Sequence, residues 1–136
     1  MEENRKVLVI TDNSASSMNM AETIAGIVNG ASFPGYSAAV IQADDFSGNN
    51  ILPVHAFLLG CGEPAPASFQ YIGELLNHIN FAGRFCGVFS ANSKAVKYLS
   101  GLIVPCEATT GKPLYAENGT ITSDEAQNWL MEILKV

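Results

Sequence analysis

The stretch Lys6–Ala25, KVLVITDNSASSMNMAETIA, decides how the chain is read. Lys6–Ile10 is a near-continuous apolar run, the pattern of a strand covered on both faces. It stops at Thr11-Asp12-Asn13-Ser14-Ala15-Ser16-Ser17, after which Met18, Ala21, Ile24, Ala25 and Val28 recur at helical spacing up to a stop at Asn29-Gly30. Strand, polar turn and helix in direct succession form the opening unit of an α/β chain. The turn places small donor side chains at a helix N-terminus, where free N–H groups and the helix dipole favour an anion. Ser14, Ser16 and Ser17 are the candidate phosphate-binding residues, since a phosphate monoester has three acceptor oxygens to satisfy. Ser, Asn and Asp are equally good turn and N-cap residues, so a capped turn without ligand stays open. No GxGxxG and no GxxxxGK(S/T) occurs, which excludes a dinucleotide fingerprint and a P-loop.

Outward from that unit the elements alternate. Ser37–Ala43 is a short strand followed by a polar loop, Asp44–Asn50. His55–Cys61 is a second buried strand, and Phe69, Ile72, Leu75, Leu76 and Ile79 mark a helix ending near Asn80. Arg84–Ser90 is a strand and Ala95–Leu102 a short helix. Between Val104 and Thr122 the pattern weakens, with a strand near Leu114–Glu117. Thr122-Ser123-Asp124-Glu125 fits a capping box, and Ala126, Trp129, Leu130 and Ile133 give the last helix its apolar face. The rhythm predicts one domain over 1–136, a three-layer, doubly wound α/β sheet in which one helix is lost between the second and third strands.

Composition narrows the function. The chain has 136 residues, 48% of them hydrophobic and 15% charged, as in a compact globular protein. A net charge of −6 argues against nucleic acid and anionic membranes as partners and suits a basic docking partner. No apolar run approaches the roughly 18 residues of a membrane span. The charged start and the short apolar run after it do not form a signal peptide, so a cytoplasmic location is expected. Cys61, Cys86 and Cys106 form neither a disulfide framework nor a CxxC pair and read as buried, reduced thiols. His55 and His78 have no partner at ligand spacing, so no metal site is expected, and no catalytic constellation emerges.

The residues resemble the short-chain flavodoxins. VLVITDNSASSMNMAETIA is similar to that family's S/T-x-T-G-N-T phosphate loop and the A-E-x-I-A helix after it. In that register Asp12 takes the first hydroxyl position, Ser14 the Thr, Ala15 the Gly, Ser16 the Asn and Ser17 the last Thr. FLLGCGEP (57–64) resembles the family's LLGCSxxG, GRFCGVFS (83–90) its GKKVALFG, and PLYAENGTITSDEAQNWL (113–130) its last strand, turn and acidic helix start. The resemblance implies strand order 2-1-3-4-5 in a five-stranded sheet. It also implies an FMN-binding, low-potential electron carrier between protein partners, more a carrier than a catalyst. The phosphate is then expected on Asn13, Ser14, Ala15, Ser16 and Ser17, and the flavin ring between Gly62, Glu63 and Pro64 on one side and Ala91, Asn92, Ser93 and Tyr98 on the other. The alternative is a flavodoxin-fold module that has lost FMN and serves as a binding or regulatory domain. Four departures bear on the choice. Asp12 puts a carboxylate at a hydroxyl position, and Ala15 and Ala65 replace glycines. The ring-stacking aromatics are absent at their expected positions, Pro64 and Val96, leaving Phe69, Tyr71 and Tyr98 as substitutes.

Overall fold

The computed structural model describes residues 4–136. β1 (Arg5–Thr11) lies between β2 (Tyr36–Gln42) and β3 (Ala56–Gly60), both parallel to it. β4 (Phe85–Ser90) pairs with β3, and the outermost position beside β4 is filled by β5 (Thr109–Thr110) and then β6 (Leu114–Tyr115). The order is therefore β2-β1-β3-β4-β5, the doubly wound order expected, with its fifth strand divided. The division falls at Gly111-Lys112-Pro113, where proline has no N–H to give the ladder. Trp129 Nε1–H donates to the Lys112 carbonyl at 2.7 Å and holds this excursion against the last helix.

Side chains alternate across the central strands, and this builds two cores. Val7, Val9, Ala56 and Leu58 face α1 (Ala15–Val28) and α5 (Ser123–Leu134). Leu8, Ile10, Phe57 and Leu59 face the opposite layer, with α3 (Gln70–Leu76) and α4 (Ser93–Leu102). All five residues of β3 are buried, which is why its sequence shows no polar alternation. The capping box of α5 forms as read: Glu125 N–H donates to Thr122 Oγ1 at 3.1 Å, and Thr122 N–H to Glu125 Oε1 at 3.0 Å.

Two segments differ from the sequence pattern. The polar loop after β2 holds a 3-10 turn at Ala43–Asp45 and a single helical turn, α2 (Gly48–Ile51), whose Ile51 fills the core where a longer helix would pack. α3 ends at Leu76 rather than Asn80. The apolar spacing runs on to Ile79 because a turn, His78 N–H to the Leu75 carbonyl at 3.0 Å, keeps Ile79 against the same core. The exposed edge β2 is shielded at Ala38, whose N–H and carbonyl both bond the side chain of Asn29, the residue that caps the end of α1.

Candidate functional site

The carboxyl ends of β1, β3, β4 and β6 open onto four turns that meet. The first contains the N-cap of α1. Ser14 is extended (φ −68°, ψ 145°), and its Oγ accepts the Ser17 N–H at 3.4 Å. Its carbonyl accepts the Met18 N–H at 3.0 Å. Helix geometry leaves the N–H groups of Ala15 and Ser16, the first two residues of α1, without an intrahelical acceptor. The Ser17 hydroxyl in the same turn is fully buried and bonds to nothing, a state that costs free energy unless a partner arrives.

Asp12 is turned into this turn rather than toward solvent and is only 7% exposed. One oxygen accepts the Ser14 hydroxyl at 2.7 Å and the Ser14 N–H at 3.3 Å, and the other accepts the Gly62 N–H at 2.9 Å. One carboxylate thus ties the turn after β1 to the turn after β3. The two approach so closely that a Cβ on Gly62 would fall 2.6 Å from Ser14 Oγ, so only glycine fits.

The third turn is locked from β4. The Ser90 hydroxyl donates to the Cys61 carbonyl at 2.5 Å and accepts the Asn92 N–H at 3.0 Å. Asn92 caps α4 through bonds from the Lys94 and Ala95 N–H groups, and its amide reaches the Gly62 carbonyl at 3.3 Å. The fourth turn brings Gly119, at φ +74°, over the first. A Cβ there would fall 2.9 Å from the Ser16 Cβ, and Asn19 Nδ2 donates to the Gly119 carbonyl at 2.8 Å. These turns contain no lysine, arginine or histidine, so their charged groups are Asp12, Glu63 and Glu117, all carboxylates.

Of the residues singled out in the sequence, Ser14, Ser16 and Gly62 are half-buried and Ser17 is buried, with Asn13 and Ala15 exposed above them. Glu63 and Pro64 are exposed on one rim; Ala91 and Asn92 are half-buried on the other, and Ser93 opens α4. Tyr98 is separate from this group. It lines a groove between α3 and α4 with Gly73 and Gly101, and burial, with the neighbouring Cys61, pushes its hydroxyl pKa up. Phe69 is a core residue with no exposed surface, and Tyr71 packs against Phe46 with ring centroids 6.0 Å apart. Ala65 is left-handed at φ 50°, a conformation costly to a side chain with a Cβ. Cys61 is buried, and desolvation, with Asp12 adding to it, pushes its thiol up to about 12. Among the described residues no cluster of side chains could hold a metal ion. Sequence reasoning missed Asn19 and Gly119. The turn Asn118-Gly119 is legible locally, but its position over Ser16 is set by the whole sheet.

No protein-family model matches the sequence, and no curated protein matches it. Solved structures do. A flavodoxin of Streptococcus pneumoniae TIGR4 superposes with a TM-score of 0.76 at 15% identity, over 96% of this chain and 99% of its own. A short-chain flavodoxin associated with a non-canonical PDU bacterial microcompartment gives 0.72 at 8% identity, over 96% and 97%. Oxidised Flavodoxin 2 of Bacillus cereus gives 0.70 at 16% identity, over 96% and 98%. The chain has the flavodoxin fold. In a flavodoxin fold of this strand order the crevice lies where the four turns meet, since the chain leaves β1 for α1 on one face of the sheet and β3 for α3 on the other. Against FMN, the donor set fits the phosphate end: two N–H groups at a helix N-terminus, the Ser16 hydroxyl and the unpartnered Ser17 hydroxyl. On the rim formed by the turn after β3, Pro64 offers the ring an aliphatic surface.

Proposed function

We propose that the chain binds FMN and carries electrons between protein partners. The observation that supports this best is the buried Ser17 hydroxyl without a partner, in the first turn of α1, within a chain that superposes on flavodoxins over nearly all its length. The N–H groups of Ala15 and Ser16 and the hydroxyls of Ser16 and Ser17 would hold the phosphate. The turns around Gly62 and Asn92, fixed to each other by the Asn92 amide, would hold the ring edge and exclude water. Bound FMN supplies one- and two-electron chemistry, and the protein tunes it through unequal binding of its redox states. Glu63 on one rim places a carboxylate near the ring, which disfavours added negative charge there. The partner is a redox protein with a basic surface, met by the carboxylates of this acidic chain, in the cytoplasm.

The test is the visible spectrum of the purified protein, followed by titration with FMN and riboflavin while flavin fluorescence is read. Quenching by FMN at lower concentration than by riboflavin at pH 6 upholds the reading. No quenching at up to about 50 µM protein overturns it. A second reading is favoured by the aliphatic rim and by Asp12: a flavodoxin-fold module that binds another phosphorylated molecule or a protein. Its signature is a rise in Tm with inorganic phosphate and none with riboflavin.

A further inference from the structure

The four turns contain donors suited to an anion and no lysine, arginine or histidine. Every donor is neutral, and the one deeply buried charge is negative. Asp12 already accepts three hydrogen bonds, from Ser14 N–H, the Ser14 hydroxyl and Gly62 N–H, on the two turns between which a ligand would sit. It does for these turns what a bound anion does elsewhere: it satisfies their donors and holds them together. Beside it, the Ala15 and Ser16 N–H groups have no intrahelical acceptor and the buried Ser17 hydroxyl has no partner. A phosphate held by those groups would share the turn with the Asp12 carboxylate, and like charges close to one another disfavour the more charged form.

We propose that Asp12 makes this a site for a phosphate carrying a single negative charge, a protonated monoester or a diester, and disfavours the dianion. The proposal rests on the reading that the N-terminus of α1 takes phosphate, and it adds which charge state is taken. A phosphate monoester loses its second proton near pH 6. The two possible designs therefore give opposite trends. A site of neutral donors and a helix N-terminus alone holds the dianion better and strengthens as pH rises. A site containing Asp12 holds the monoanion better and strengthens as pH falls. The Cys61 thiol lies close enough to Asp12 to feel its charge and stays neutral across this range. The other titratable groups on the surrounding turns are Glu63 after β3, Glu117 before α5 and Lys94 in the first turn of α4, all exposed.

The experiment is the ratio of riboflavin to FMN dissociation constants, which isolates the phosphate, measured on the native chain between pH 7.5 and 5.5 and repeated on Asp12→Asn and Asp12→Ser. The ratio rises about tenfold as pH falls in the native chain. Either variant raises it about tenfold at pH 7.5 and removes the rise on acidification. A native ratio that falls with pH, or variants that leave the ratio unchanged, overturns the proposal, while FMN binding in the same titrations leaves the proposed function standing. If the variants do not fold, the native trend alone decides. If no form binds flavin, inorganic phosphate replaces FMN and Tm is read. A larger rise in a variant than in the native chain upholds the role of Asp12 and removes the flavin; equal rises overturn the role of Asp12 and leave phosphate binding standing; no rise in any form overturns both.

Discussion

The turn after β1 and the turn after β3 lie side by side, yet they are built on different principles. In the first, the Asp12 carboxylate takes three hydrogen bonds and Ser14 caps α1, while the Ala15 and Ser16 N–H groups have no intrahelical acceptor and the buried Ser17 Oγ has no partner. In the second, from Gly62 to Pro66, few backbone bonds hold the chain. Two prolines fix its path, Ala65 takes a left-handed conformation, and Gly62 allows contact with Ser14. Under the proposed function the first turn carries the chemistry of an anion site, and the second supplies shape and stiffness. A ligand with a phosphate at one end and a flat, uncharged body at the other matches that division.

Four substitutions or conditions would break or sharpen the contrast. The largest effect belongs to Gly62→Ala, whose Cβ collides with Ser14 and drives the two turns apart. A loss of about 3 kcal/mol in urea denaturation is expected, together with weakened ligand binding. Asp12→Ala follows, at about 2 kcal/mol, because the Gly62 and Ser14 donors lose their acceptor in a buried setting. A neutral result would mean the carboxylate does not join the turns. Ala65→Gly works the other way: relief of the left-handed alanine, partly offset by glycine's greater freedom when unfolded, raises stability by up to about 1 kcal/mol. Had the alanine been unstrained, the same substitution would lower stability in the same denaturation assay.

The smallest effect at neutral pH comes from the thiols. Cys61 titrates near 12 when folded against 9.0 ordinarily, and burial pushes Cys86 and Cys106 up as well. A folded thiol that keeps its proton when the unfolded one has lost it stabilises the fold fully below pH 9. That contribution declines as pH rises from 9 toward 12. Denaturation midpoints should hold to about pH 9 and fall beyond it, less steeply in Cys61→Ala.

The sequence revealed what is local. β1, β3 and β4 were legible because both faces of each are covered, leaving unbroken apolar runs. α1 and α5 were legible because their caps, Ser14 and Thr122, lie within four residues of the groups they bond. What it hid depends on distant partners. The fifth strand divides where Trp129, seventeen residues on, holds the Lys112 carbonyl. Asp12 reads as an anomaly in a phosphate loop until its partner Gly62, fifty residues away, is placed beside it. The same limit applies to Tyr98: the resemblance puts it beside the turn after β4, and only the packing of α4 on α3 turns it into the groove with Gly73.

The central claim is that the N-terminus of α1 receives a phosphate. Its most direct test is the amide NMR spectrum of the labelled protein during addition of FMN at pH 6, with riboflavin as the control. The account predicts the largest FMN-specific shifts at the N–H groups of Ala15 and Ser16, with Gly62 and Gly119 following. FMN-specific shifts centred on Gly73 and Gly101 in the groove between α3 and α4, or no shift at Ala15 and Ser16, would contradict it.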